Sequence, residues 1–294
     1  MKPGFFRTLA LLTALLGGVL VPQAHVAIGA VRWIIMGMLF FVFLQLRFSR
    51  AAVQRSHATL LFANLAFGAF GFAAGWFLGG RNVALAGFFA GITPTAAAAP
   101  VITGFLKGRV EYVVTAFMLS NLSVAALLPW ILPWFLGQAT PDLFTHVAGT
   151  VGLLVFLPLS LAVALRRVYP PACDWPKRVS AWSFAAWNIS LFIITANASH
   201  FLRHQTEIPA RQTWTVAALS AAICALSFAV GRVIGGKEFP REASQSLGQK
   251  NTSFTIYVAL TYTNPLVALG PTCYVLWHNL WNSWQLSRVR DKAS

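Results

Sequence analysis

Stretches of roughly twenty mostly apolar residues follow one another along this chain with only short links between them. A stretch of that length is what an α-helix needs to cross the hydrocarbon core of a bilayer. Composition points the same way. Of 294 residues 57% are hydrophobic and 10% are charged, against about 25% charged in an ordinary soluble domain. A chain so poor in charge cannot cover itself for water, and its links leave no room for a separate soluble domain. The expected fold class is an all-α integral membrane protein, a single transmembrane domain over residues 1–294 embedded in the lipid bilayer.

The apolar pattern divides into ten helices, at 5–22, 26–46, 58–79, 82–105, 110–136, 143–165, 180–202, 212–234, 241–260 and 263–285. Sidedness tests the count, because Lys and Arg concentrate in cytoplasmic loops. With a cytoplasmic N-terminus, 17 of the 22 cations fall on the inner side: Lys2, Arg7, Arg47, Arg50, Arg55, Lys107, Arg109, Arg166, Arg167, Lys177, Arg178, Arg232, Lys237, Arg241, Arg288, Arg290 and Lys292. Only Arg32, Arg81, Arg203 and Arg211 fall outside, and Lys250 lies inside a helix. One missed helix would invert every later loop, so ten spans with both termini cytoplasmic are expected. The same bias accounts for the net charge of +15 without a nucleic-acid partner.

Other patterns exclude functions. Cys173, Cys224 and Cys273 stand far apart with no metal or disulfide spacing. Gly17-Gly18, Gly79-Gly80 and Gly235-Gly236 fall near helix ends without the strand-turn-helix context of a phosphate loop. Neither a metal nor a cofactor is expected. Lys2 and Arg7 followed by an apolar run to Val21 imitate a secretory signal, but Pro22-Gln23-Ala24 lacks the small-x-small cleavage pattern, so a retained first helix is expected. The absence of targeting features beyond the first helix suggests a bacterial inner membrane.

Ten helices divide into two fives, repeat one over about 1–137 and repeat two over about 141–286, and an odd-numbered repeat inserts upside down relative to its partner. Inverted repeats are a common transporter architecture with the binding site where the halves meet. Two equivalent helices are also the weakest. The fourth contains Gly91-Ile92-Thr93-Pro94-Thr95 and then Pro100, and each proline removes a backbone donor. The ninth is the most polar span, with Arg241-Glu242-Ala243-Ser244-Gln245-Ser246-Leu247-Gly248-Gln249-Lys250-Asn251-Thr252-Ser253. Broken helices at membrane depth are tolerated where they line a cavity.

On these segments the chain resembles the bile acid:sodium symporter superfamily. The matching stretches are Pro94 to Thr103 with Lys107-Gly108, Arg241-x-x-Ser244-x-x-x-Gly248-x-x-Asn251, and Trp277-His278-Asn279. The layout agrees over the whole chain and specific residues at about forty positions. The resemblance implies a panel and a core subdomain, with broken helices four and nine crossing in the core. It also exposes departures. Sodium-coupled members hold two sodium ions with a Ser-Asn pair in helix four and a Glu and a Gln in helix nine. Here those positions carry Ala99 and Pro100, and Ser246 and Lys250, while the helix-five hydroxyl positions carry Val113 and Phe117. No bound sodium is expected.

The acidic residues agree. Glu111, Asp142, Asp174, Glu207, Glu238, Glu242 and Asp291 all sit in loops or at helix ends, leaving no carboxylate for a hard cation or an acidic proton relay in mid-span. Lys250 is the principal site candidate. It stands nine residues past Arg241, roughly 13 Å along a helix and close to mid-depth, which reads against simple snorkelling. It is open to three roles: a built-in cation replacing sodium, a direct partner for an anionic substrate, or a titrating group that couples protons. Thr93, Thr95, Ser246, Gln249, Asn251 and Thr252 would supply polar contacts to a solute or hydrogen bonds between helices. Asn188, Asn197, Ser120 and Asn121 read as structural glue, and His278 among Trp277, Trp281 and Trp284 as part of an interfacial belt.

The functional expectation is a secondary transporter that moves a small organic anion by alternating access, independent of sodium, with Lys250 in place of the ion. Alternatives are a proton- or sodium-coupled symporter of the same fold, or a membrane receptor or structural subunit. An intramembrane enzyme would need a catalytic constellation that the spans do not offer. The arsenite-efflux branch of the superfamily uses a cysteine in helix four, where this chain has none.

Overall fold

The computed structural model describes residues 3–45, 52–204 and 210–290. Lys2, Arg47, Arg50 and Lys292, assigned above to the inner side, lie outside the described residues, as do Glu207 and Asp291. The described chain is almost entirely helical. Helix α1 (Pro3–Leu20) leads through a 3-10 turn at Pro22–Ala27 into α2 (Ile28–Gln45). Next come α3 (Arg55–Gly79), α4 (Arg81–Ile92), α5 (Ala99–Phe105) and α6 (Val110–Phe135). Then α7 (Pro141–Val151) passes through a π turn at Gly152–Phe156 into α8 (Leu157–Val168), followed by the short α9 (Trp175–Arg178) and α10 (Ser180–His204). The chain closes with α11 (Ala210–Gly235), α12 (Pro240–Gly248), α13 (Thr252–Tyr262) and α14 (Pro265–Arg290).

Five helical stretches among the described residues are long and apolar enough to cross a membrane. They are Pro22–Leu44, Arg55–Gly79, Val110–Phe135, Pro141–Val168 and Ala210–Gly235, between 23 and 28 residues each. At 1.5 Å per residue, even the shortest covers about 34 Å, more than the roughly 30 Å hydrocarbon layer. Their outward surfaces carry the bulky apolar groups that lipid accommodates: Phe62, Phe77, Trp130 and Trp214 are all more than 60% exposed. This is the surface of a multi-pass membrane protein.

The chain forms two compact units. The first comprises Met1–Leu9, Phe48–Asn121 and Gln205–Ser294. Its cohesion depends on backbone approaching backbone. In α3, Gly71, Gly75 and Gly79 recur every fourth residue, and α4 presents Gly87 and Gly91 at the same interval. A Cβ added at Gly71 would run into the carbonyl oxygen of Gly87, and one at Gly87 into that of Gly71. Small residues at this spacing let helices in lipid reach the close van der Waals contact that replaces a hydrophobic driving force. Helices α11 and α12 meet in the same manner, since a Cβ at Gly231 would strike the backbone of Ala243 and Ser244.

The second unit comprises Ala10–Arg47 and Leu122–His204. Here α2 packs along α8 and α10. The end of α1 is tied to α10 through the Val19 carbonyl, which accepts from Ser199 Oγ at 3.1 Å and from the Arg203 guanidinium at 2.7 Å. The π turn directly precedes Pro158. A proline ring clashes with the carbonyl four residues back, here Leu154, and a wider turn relieves that clash.

The glycine contact is testable by thermal unfolding in detergent. Gly87→Val should lower stability by about 3 kcal/mol, because Cβ must displace the α3 backbone. Gly37→Ala in α2, where an added Cβ meets nothing within 4 Å, should stay within about 1 kcal/mol of wild type.

Candidate functional site

Two stretches of the first unit stop being helical in the middle of the bundle. In the earlier one the cause is local. A residue before proline avoids the helical region, and Thr93, ahead of Pro94, adopts φ −51° and ψ 126°. Helix α4 therefore ends at Ile92, and α5 restarts with Pro100 in its first turn, where a missing N–H costs nothing. The later stretch has no proline at its break. Helix α12 stops at Gly248, Gln249 takes extended angles (φ −92°, ψ 110°), and α13 begins at Thr252.

These two non-helical links pair with each other. Thr95 and Lys250 form an isolated antiparallel bridge. The Ala96 N–H donates to the Gln249 carbonyl at 2.8 Å, and the Asn251 N–H to the Pro94 carbonyl at 2.7 Å. Backbone groups freed by each interruption are satisfied by the other.

The Lys250 side chain, 1% exposed, runs from this bridge to the C-terminus of α4. Its ammonium donates to the Gly91 carbonyl at 2.9 Å, the Thr93 carbonyl at 3.0 Å and Asn64 Oδ1 at 2.7 Å. Asn64, from α3, completes the set by donating Nδ2 to the intervening Ile92 carbonyl at 2.8 Å. Three successive carbonyls at the end of a helix, which would otherwise lack partners, are thus all occupied. The helix dipole places partial negative charge at that end and favours a cation there. The ring of Tyr274 faces the ammonium from 6.0 Å, and its hydroxyl donates to the Gly248 carbonyl at the end of α12. The ammonium's three donors are all spent on neutral oxygens, an oxygen cage of the kind a bound alkali cation would occupy. A substrate anion could pair with it directly only by displacing one of them.

The opposite side of the bridge is a network of hydroxyls and amides. Thr95 Oγ1 donates to the Ser246 carbonyl at 2.6 Å, and Ser120 Oγ accepts from the Thr95 N–H at 3.1 Å. Asn121 Nδ2 donates to the Thr95 carbonyl at 2.8 Å and receives, on its Oδ1, the Asn251 side chain at 3.1 Å. Thr93 and Thr255 share a hydroxyl–hydroxyl bond of 2.7 Å. Ser246 Oγ donates to the Glu242 carbonyl, Thr252 is buried with its N–H on the Lys250 carbonyl, and Pro100 is buried in α5. Gln249 is buried with its Oε1 unpartnered. All eight candidates therefore lie in the two interrupted stretches, with Lys250 and Thr95 at the bridge. Beside them a narrow cavity lies among His57, Leu60, Asn64, Thr95, Ser120 and Ser246, with room for about one water molecule.

Asn64 escapes the sequence reading, although a lone amide within the apolar run of α3 is a signal of its own. Glu242 sits at a helix end yet is 6% exposed, its carboxylate accepting the Arg109 N–H at 2.7 Å. His278 is not at the surface but buried beside Tyr274, with ring centroids 5.7 Å apart. Among the described residues its Nδ1 has no partner, and neither do Gln245 Oε1 and Asn282 Nδ2, all buried in the first unit. An unsatisfied buried polar atom costs about 1–3 kcal/mol, so each of these is a strong site for ordered water.

Compared with known proteins, the chain matches no family model and no curated protein.

Removing the ammonium strands Gly91 O, Thr93 O and Asn64 Oδ1 together. Lys250→Met should therefore destabilise the protein by on the order of 3 kcal/mol or more, and Tyr274→Phe, which frees one carbonyl, by about 1 kcal/mol, both read by thermal unfolding.

Proposed function

We propose that this protein is a secondary transporter that carries a small organic anion across the membrane by alternating access, without sodium, with the Lys250 ammonium standing where a coupled carrier binds the ion. The observation that carries this reading is the cage around Nζ, made of two carbonyls at the end of an interrupted helix and one amide oxygen, at the point where two interrupted helices pair. A receptor or a structural subunit gains nothing from unsatisfying the backbone at two places and then rebuilding it around a buried charge. A carrier does, because such a joint can be loosened without unfolding either helix.

Further features support the architecture this entails. It comprises ten spans in two inverted five-helix repeats, with both termini cytoplasmic in an inner membrane. The α4/α5 and α12/α13 stretches count as the fourth and ninth spans, and each is preceded by a helix (α3, α11) that holds it by glycine contacts. The first unit gathers the third, fourth, eighth, ninth and tenth spans with the first part of the fifth, while the second gathers the rest of the fifth, the sixth and seventh, and most of the first two. We infer that these units correspond to the core and panel that the resemblance to the bile acid:sodium symporter superfamily implies, with the fifth span shared between them. Lys250 adds a positive charge among neutral oxygens in the core, which favours an anionic solute.

Thermal stability of the purified protein in sodium chloride and in choline chloride at equal ionic strength tests the reading. Wild type should melt at the same temperature in both, and Lys250→Gln lower in both. A saturable rise in sodium would return the protein to sodium coupling. A ligand at 100 times its Kd stabilises the folded state by about 2.7 kcal/mol, well within detection.

A further inference from the structure

Helix α14 carries a file of polar side chains along one face: Tyr274, His278, Asn282 and Gln285, at helical spacings of four, four and three. It begins at Lys250, whose ammonium is 6.0 Å from the Tyr274 ring centroid. His278 follows with its ring centroid 5.7 Å from that of Tyr274. Across the seam α12 contributes Gln245, whose Nε2 donates to Asn282 Oδ1 at 3.2 Å and to Gln285 Oε1 at 2.7 Å. Gln285 is half-buried, so the file opens toward the end of α14 that carries Arg288 and Arg290. Along it stand three polar atoms without a partner among the described residues, His278 Nδ1, Asn282 Nδ2 and Gln245 Oε1, on residues at most 5% exposed. Apolar packing would not place three such atoms in one seam, and buried polar groups left over by protein partners are met by ordered water.

We infer that the seam between α12 and α14 binds a file of water molecules that joins Lys250 to the aqueous phase at the Gln285 end and passes a proton to and from the ammonium. One N–H leaves its acceptor in the cage and gives its proton to the neighbouring water, and Nζ keeps the electron pair as a neutral amine. The proton moves along the file to solvent, and the reverse transfer restores the cation. The inference rests on the transporter reading and deepens it: the ion that enters and leaves the cage is a proton. The groups around Nζ are the Asn64 amide of α3, the Gly91 and Thr93 carbonyls of α4, Cys224 of α11, and Tyr274 and His278 of α14. Deprotonation would remove one of the three donors and the positive charge that strengthens the other two, at the pairing of the two links, the same joint that alternating access has to loosen.

Hydroxyl-radical footprinting of the wild-type protein tests the water file, because radicals formed from bound water oxidise the side chains beside it. Tyr274 and His278 should be labelled about tenfold faster than the fully buried Phe88 and Phe89, and Gln245→Leu with Asn282→Leu should abolish the difference at His278. Labelling of Tyr274 and His278 no faster than of the two phenylalanines overturns the inference. The proton step is read without substrate, as charge displacement after a pH step on protein adsorbed to a solid-supported membrane. Wild type should give a transient that Lys250→Met lacks. No transient in wild type, or one that survives in Lys250→Met, overturns the proton step. A hydrated seam together with sodium stabilisation of wild type would sink the sodium-independent reading and leave the seam standing. A dry seam without a sodium effect would do the reverse.

Discussion

The end of α4 is the constraint from which the rest of the first unit follows. A helix that stops inside an apolar bundle leaves its last carbonyls with no water to turn to, and each is costly to leave bare. Lys250 and Asn64 occupy those of Gly91, Ile92 and Thr93 between them. The same arrangement answers the converse problem of a buried ammonium, because its three donors meet three acceptors at the negative end of a helix. Neither element is stable in this place without the other.

Close packing makes that exchange possible. The glycines shared by α3 and α4 bring the two backbones into contact, and this is what lets a side chain as short as Asn64 reach both the Ile92 carbonyl and the ammonium. The pairing of residues 94–96 with 249–251 then sets the depth at which Lys250 enters. Tyr274 closes the cage from α14 and takes the last carbonyl of α12, so four helices contribute to one charge. Under the proposed carrier reading, opening this cage would supply the second of the two states that alternating access requires.

Part of this was legible in the sequence, and the parts differ in physical kind. The all-helical membrane class follows from hydropathy alone, and the positions of Pro94 and Pro100 mark where α4 must stop, since proline acts on its own neighbours. Lys250 stood out because a charge in an apolar span demands a reason. Ser120 and Asn121 read as structural glue, and they bond Thr95 and Asn251 next to the charge, where glue and site are the same atoms. His278 was misplaced: tryptophans on the same helix suggested an interface, but its own face turns inward toward Tyr274.

What the sequence determined by itself was therefore whatever arises from a residue's effect on its own segment: apolar length, the proline break, and the cost of a lone cation. The break after Gly248 has no local cause, and neither do the choice of Asn64 as partner, the burial of Glu242 or the unpartnered file on α14. These were decided only when distant segments came within hydrogen-bond reach. Backbone and side-chain polar groups in an apolar interior must find partners wherever the fold brings them, and sequence spacing carries no record of that distance.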